Sequence, residues 1–347
     1  MSVHDNESVV MPKVINSIMW EANKIRLLDQ TQLPTLENYL DISEVDQLID
    51  SIVKLKVRGA PALGVAGAYG VVIILDEAMR KSWTASEVDS AIDRLRDARP
   101  TAVNLAWGVN TVRALIPTGR NSVLEAAHQI MHKDKESNLQ MAARGADAIL
   151  ALVDKPQLTL LTHCNTGSLA TTGVGTALGV IRELNNRGRV QEVFADETRP
   201  LLQGARLTAW ELEVSGINYR LLPDSAAAMA ITRGYVDVAL VGADRIAKNG
   251  DSANKIGTLG VALACKAAGI PFFVVAPEST VDRSMESGEL IHIEFRADDE
   301  VTNFAGTRTA PLGAHTFNPA FDVTPAGLIT GVVTEDRVYK VSLGESL

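Results

Sequence analysis

From Gln157 onward the chain repeats one pattern: a short apolar run, a polar cluster, then a helical stretch. The runs are QLTLLTH (157–163), VQEVFA (190–195), NYRLLP (218–223), VDVALVG (236–242) and PFFVVAP (271–277). Between them stand GTALGVIRELNNRG, QGARLTAWELEVSG, AAAMAITRG and IGTLGVALACKAAG, whose apolar residues recur at helical spacing. Strand-length runs alternating with helices predict βαβ units and a mainly parallel sheet covered on both faces. Few other folds tolerate that order.

The earlier part of the chain has a different period. SEVDQLIDSIVKLK (43–56) sets Val45, Leu48, Ile49, Ile52, Val53 and Leu55 largely on one helical face. Ser43 followed by Asp46 reads as an N-terminal capping arrangement. Further helical patterns cover Ser86–Leu95, Thr101–Leu115 and Asn121–Leu152. Two loops interrupt them, VRGAP (57–61) and ARPTA (98–102), each with Arg just before a Pro-marked turn. The 347 residues therefore divide into a mainly helical domain over 1–150 and an α/β domain over 151–347. A composition shift near Asp154–Pro156 marks the boundary.

Charge removes several function classes. With 33 Lys+Arg against 42 Asp+Glu, the net charge is −9. That balance argues against broad nucleic-acid or anionic-membrane binding, which need a basic field. It does not exclude a small anionic substrate. The opening residues MSVHDNESVVMPK are polar, so no secretory leader is expected. The longest uncharged apolar stretch, Ala62–Leu75, is shorter than the ~20 residues of a membrane span. Two cysteines cannot build a disulfide framework or a Cys-rich zinc site, and a cytoplasmic location follows as the expectation.

Polar residues collect where the strand runs end: His163–Cys164–Asn165, Asp196–Arg199, Asp224–Ser225, Asp244–Arg245 and Pro277–Thr280. Ligands of open parallel sheets bind beyond the carboxyl ends of the strands. Cys164 lies at such an end and enters a glycine-bearing stretch, where a thiol can act as nucleophile, base or charge stabiliser. Cys265, at helical spacing with Val261 and Leu263, reads as packing. Asp244 fits two readings, an Arg-stabilised ionised cap or a pocketed, protonated acid. Asn254 and Lys255 fall where the next helix is expected to start, an arrangement suited to phosphate. Arg58 supplies a charged fork, and Gly59–Ala60 let a ligand approach the backbone before Pro61; Arg99 is a second such arginine. GVGTALG (173–179) starts ten residues beyond its strand and has the wrong final spacing for a dinucleotide loop. His128 and His132 lack a third metal ligand and read as a surface face. The triphosphate-binding GxxxxGK[ST] signature is absent from the sequence.

Five longer segments, RGAPALGVAGAYG, THCNTGSLATTGVGTALGVI, ETRPLLQGARLTAWEL, GADRIAKNGDSANKIGTLGVALA and NPAFDVTPAGLITGVVTE, closely resemble the S-methyl-5-thioribose-1-phosphate isomerase family. That family belongs to methionine salvage and is related to regulatory subunits of a translation-initiation nucleotide-exchange factor. The resemblance runs in order over nearly the whole chain. It implies a helical N-terminal domain, a Rossmann-like C-terminal domain, a homodimer, and no metal or redox cofactor. It also implies Cys164 and Asp244 as catalytic residues, with Arg58, Gly59, Ala60, Arg99, Gln203, Asn254 and Lys255 contacting a sugar phosphate. Gln203 rests on the resemblance alone. LLPDSAAAMA is more alanine-rich than the family's pattern, and CNTGSLAT carries Thr166 and Ser168 where smaller residues are common. The implied reaction is aldose to ketose 1-phosphate isomerisation. Its rivals are an isomerase for 5-deoxyribose 1-phosphate or ribose 1,5-bisphosphate, and a non-catalytic regulatory subunit.

Overall fold

A computed structural model describes residues 15–100 and 103–347 of the protein. The leader reading at residues 1–13 and the Thr101–Ala102 end of the ARPTA loop lie outside the described residues. The described residues open with an antiparallel sheet that the helical reading did not anticipate: β1 (Ile18–Glu21), β2 (Lys24–Leu28) and β3 (Tyr39–Ile42), in that spatial order. Its first hairpin turns at Ala22 and Asn23, both with positive φ (48° and 58°), the conformation of a two-residue loop that matches strand twist. Ile25 and Leu27 are buried while Lys24 and Arg26 are exposed, so the alternation is present but only four residues long.

Five helices follow: α1 (Val45–Val53), α2 (Ala60–Lys81), α3 (Ala85–Arg96), α4 (Val103–Arg113) and α5 (Arg120–Leu152). By length and composition α2 could cross a membrane, unlike the shorter uncharged stretch seen in the sequence. However, 78% of its most apolar window is buried inside the protein, as befits a core helix. α4 crosses α2 so closely that a Cβ on Gly108 would overlap the Gly64 carbonyl. The crossing lies within two turns of both helix starts, so the loops before them, with Arg58 and Arg99, converge. The expected Ser43 cap is not formed. Glu44 occupies the cap position without a side-chain bond, and the Val45 N–H donates instead to Glu77 of α2 at 2.8 Å. A carboxylate brought by tertiary packing has replaced the local one. The reciprocal capping box belongs to α3, between Thr84 and Glu87. α5 gives Val123 and Ala127 to the N-terminal core, and Met141, Ala146 and Ile149 to the second core.

All five expected runs are strands: β4 (Leu158–Thr162), β5 (Val190–Asp196), β6 (Tyr219–Leu222), β7 (Val238–Val241) and β10 (Phe272–Val275). With β15 (Gly331–Val333) and β16 (Val338–Tyr339) they form a sheet in the order β16-β15-β10-β7-β4-β5-β6. Every pairing is parallel except β15 with β16. The expected helices are α6 (Ala177–Asn186), α7 (Ala209–Val214) after a π turn at Gly204–Thr208, α8 (Ala227–Thr232) and α9 (Thr258–Ala268). The chain runs from β4 outward to β6, then returns to β7 on β4's other side. That reversal is a topological switch point, and it opens a crevice at the ends of β4 and β7.

A smaller sheet, absent from the sequence reading, lies beyond those ends. It joins β11 (Val281–Asp282), β8 (Arg245–Ala247), β9 (Ser252–Lys255) and β14 (Phe321–Thr324) in that order. A short helix, α10 (Asp299–Thr302), and the hairpin β12 (Asn303–Phe304) with β13 (Thr307–Arg308) complete the described fold.

Candidate active site

Cys164 follows β4 and Asp244 follows β7, so the switch point sets them on adjacent strand ends. Both line one cavity of about 670 Å³. Arg58, Gly59, Ala60, Arg99, Gln203, Asn254 and Lys255 line the same cavity, so all nine residues singled out in the sequence meet there. Its lining includes Arg58, Arg99, Arg245, Lys255, Arg283 and Arg296 against only Asp244, Asp282 and Glu294. A cavity richer in cations than anions sits inside a chain of net charge −9.

Cys164 holds a left-handed backbone at φ 64°, rare for a residue with a side chain. Two threonines fix that conformation. The Cys164 N–H donates to Thr198 Oγ1 at 2.9 Å, and its carbonyl accepts from Thr208 Oγ1 at 2.6 Å. Cys164 is 7% exposed and borders the cavity. Cys265, by contrast, packs in the core of α9, and burial pushes its thiol up to about 12.

Asp244 lies deep in the molecule, yet its side chain opens onto the cavity and is exposed there. Among the described residues nothing hydrogen-bonds its carboxylate. Burial raises its pKa above the usual carboxylate range, and the charges of Lys255, Arg58 and Arg99 pull against that without cancelling it. Of the two sequence readings, the pocketed acid is the one that this environment favours. Arg245 does not pair with Asp244; it bonds Asp282 at 3.1 Å.

Arg58 donates to the Asn165 carbonyl at 3.2 Å and to the Asn165 side-chain oxygen. Its buried Nε has no partner among the described residues. Gly59 is required behind it: φ is 90°, and a Cβ would overlap the Ala170 carbonyl. Replacing Gly59 by Ala should therefore force α2 away from the loop after Cys164. We expect a loss of more than about 2 kcal/mol, read as a lower thermal midpoint. Arg99 has no hydrogen bond among the described residues; burial lowers its pKa, while Glu294 and Asp244 oppose that fall.

The reading of Asn254 and Lys255 as a helix start is corrected. They end β9, and α9 begins only at Thr258. The amides of Gly257 and Leu259 are taken by the Asp322 carboxylate at 2.8 and 3.1 Å, so that helix end has no room for phosphate. Lys255 still reaches the cavity from its strand, with Nζ on the Ala320 carbonyl at 2.8 Å and over the Phe321 ring. The amide of Asn254 donates to Thr258 Oγ1 at 2.9 Å. Gln203 is 6% exposed, and its Oε1 has no partner among the described residues.

Two of the five strand-end clusters do other work. The Asp224 carboxylate accepts from the backbone of Thr198 and Arg199 at 2.7 and 2.6 Å, steadying the turn that leads to Gln203. Asp196 accepts from His163 Nδ1 at 2.9 Å, while Nε2 meets the Ile256 carbonyl at 2.8 Å. Burial is the largest single influence and disfavours charge on His163, but the Asp196 bond and charge, with Asp224 and the Ile256 carbonyl, together outweigh it and raise the imidazole pKa. His163, Asp196 and Asp224 cluster closely, yet both nitrogens of the histidine already have partners, which leaves no ring lone pair for a metal. His128 is not on a bare surface face: its Nδ1 meets the buried Tyr69 hydroxyl at 2.8 Å, while His132 is exposed. Ser168, one of the departures from the family pattern, has its hydroxyl engaged by Gly173 and Arg182. Glu211 and Glu294 were missed, and Asn165 was named only as part of a strand-end cluster, without a role of its own. For Glu211 the available signal was a carboxylate four residues after Leu207 on an apolar helical stripe.

Comparison with known proteins follows the same lines. The Initiation factor 2 subunit family matches residues 56–339. A relative from Nocardia farcinica, described as a probable bifunctional methylthioribose-1-phosphate isomerase/methylthioribulose-1-phosphate dehydratase, is 51% identical over 93% of this chain. The chain spans 59% of that relative's length. A methylthioribose-1-phosphate isomerase from Desulforamulus reducens is 44% identical, covering 96% of this chain and 98% of its own. Among solved structures, 5-methylthioribose 1-phosphate isomerase from Pyrococcus horikoshii superposes with TM-score 0.85 at 37% identity, covering 95% of both chains. The translation initiation factor eIF-2B subunit delta from A. fulgidus gives TM-score 0.84 at 38% identity, covering 94% of this chain and 96% of its own.

Proposed function

The chain belongs to the methylthioribose-1-phosphate isomerases within the Initiation factor 2 subunit family, and from that premise we propose that it converts S-methyl-5-thioribose 1-phosphate to S-methyl-5-thioribulose 1-phosphate in methionine salvage. One observation carries the reading: Cys164 and an Asp244 without a hydrogen-bond partner among the described residues flank the switch point inside a cation-rich cavity.

The anomeric phosphate blocks the simple ring opening of a free sugar, so an acid must help the ring oxygen leave. Asp244, holding its proton, donates it to that oxygen as the C1–O bond breaks. Cys164, as thiolate, takes the C2 proton and returns it to C1, while the 2-hydroxyl proton passes back to Asp244. The alternative is a direct hydride shift from C2 to C1, with Cys164 stabilising the developing charge. Both routes end with the ketone at C2, the phosphate still on C1 and Asp244 reprotonated. Arg58, Arg99 and Lys255 hold the phosphate and hydroxyls, and the α2 start, with Gly59 and Ala60, offers backbone amides. The same reading places the enzyme in the cytoplasm as a homodimer, with no metal or redox cofactor.

The cavity's other cations favour a substrate with one phosphate. Arg245, Arg283 and Arg296 are already paired with Asp282, Glu278 and Glu294 at 3.1, 2.5 and 3.1 Å. A second phosphate would have to compete with those carboxylates. A side-by-side kcat/KM assay on the 5-methylthio, 5-deoxy and 1,5-bisphosphate sugars tests this reading. The methylthio sugar should lead, the deoxy sugar following by about 10- to 200-fold. Preference for the bisphosphate would overturn the substrate. The likeness to an initiation-factor subunit keeps a regulatory reading in view. Absence of turnover on all three sugars, with stable hetero-oligomers in a pull-down, would establish it instead.

A further inference from the structure

Behind Arg58, on the side away from the cavity, lies a buried polar chain that the catalytic account does not use. Glu211 of α7 is 0% exposed. Its Oε2 accepts from the Ser168 amide at 2.8 Å and from Arg182 Nη2 at 2.7 Å. Its Oε1 accepts from the Leu169 amide at 3.2 Å and from Asn165 Nδ2 at 2.8 Å. All four neighbours donate, so Glu211 serves purely as an acceptor.

The orientation of the Asn165 amide is then forced. Its NH2 end faces Glu211 and also Thr208 Oγ1 at 3.2 Å. Thr208 has given its one proton to the Cys164 carbonyl, so toward Asn165 it can only accept. With both neighbours accepting, the amide nitrogen must point inward and the oxygen outward. That oxygen meets the Arg58 guanidinium, which the Asn165 carbonyl also holds. Arg58 is thus gripped at Nη2, while the residue lines the cavity and its buried Nε has no partner among the described residues.

We propose that Glu211 is a positioning residue for substrate binding, setting Asn165 so that its oxygen aims the Arg58 guanidinium into the cavity. The inference rests on the reading that Arg58 contacts the sugar phosphate. In Glu211→Gln one carboxylate oxygen becomes an amide. If the remaining oxygen stays with Arg182 and Ser168, the new NH2 faces Asn165, which flips and presents its own NH2 to Arg58.

The test is a double-mutant cycle on the full chain with methylthioribose 1-phosphate, reading KM and kcat separately. Glu211→Gln should raise KM by about tenfold and change kcat less. In an Arg58→Met background the same change should alter KM by less than about twofold. Should Glu211→Gln fail to fold, Asn165→Ala paired with Arg58→Met tests the same link and should be equally non-additive. An unchanged KM in the single variant, or a full tenfold rise on top of Arg58→Met, overturns the proposal and leaves Glu211 a support for the 165–169 loop. If Arg58→Met itself leaves KM unaltered, the functional reading's phosphate contact falls first, and this inference with it.

Discussion

Replacing Asp244 by Asn should lower kcat by about three orders of magnitude while leaving the fold intact or firmer. Loss of activity follows because Asn cannot deliver a proton to the departing ring oxygen. Gain of stability follows from the environment. The Asp244 carboxylate opens onto the cavity with no hydrogen bond among the described residues, and desolvation by its surroundings disfavours its charge. Its folded pKa lies above the ordinary 3.8, so the folded state holds the proton more tightly than the unfolded chain does. The contribution to stability is then fullest below 3.8 and is lost as pH rises through the folded value. The stability gained by Asp244→Asn should accordingly widen from acid toward neutral pH. Thermal unfolding of the two proteins across pH 3 to 8 measures it, and a gain confined to acid would contradict the burial argument. Such an exchange of stability for function is common where a site holds an uncompensated group.

Cys164→Ser should lower kcat by about 10²- to 10⁴-fold, with a thermal midpoint close to wild type. The two side chains are nearly isosteric, and the backbone at φ 64° is fixed by Thr198 and Thr208 rather than by the sulfur. What changes is chemistry, because a thiol ionises near neutral pH and an alkyl hydroxyl does not. The control is Cys265→Ser, which removes the other free thiol. It should lower the midpoint, since Cys265 packs as a buried apolar group, and leave kcat unaltered. Equal loss of kcat from both serine variants would remove the case for Cys164. A C2-deuterated substrate followed by product NMR in ordinary water then addresses the route. Label washed out to solvent would count against a direct hydride shift.

Most of what the sequence disclosed was local. β4, β5, β6, β7 and β10 were readable because each is a short apolar run bounded by turn residues. Their parallel order sets which ends converge, and so points to Cys164 and Asp244 from the sequence alone. The failures were long-range. Ser43 looked like a cap, but Glu77, 32 residues away, took the amide. Lys255 looked like an anion site at a helix start, but Asp322 capped that helix from β14. β8, β9 and β11 are two to four residues long, too short for a period to declare itself. Glu211 was hidden for a similar reason, since its four donors come from positions 165 to 182 and only folding assembles them.

The central claim is that this cavity moves hydrogen between C1 and C2 of a phosphorylated pentose without releasing the phosphate. Proton and phosphorus NMR of the purified protein with methylthioribose 1-phosphate tests it most directly. The account predicts growth of one ketose 1-phosphate, its phosphorus signal still that of an ester, and no conversion in Asp244→Asn on the same timescale. Inorganic phosphate as the product, or an unchanged substrate spectrum with the folded wild-type protein, would contradict it.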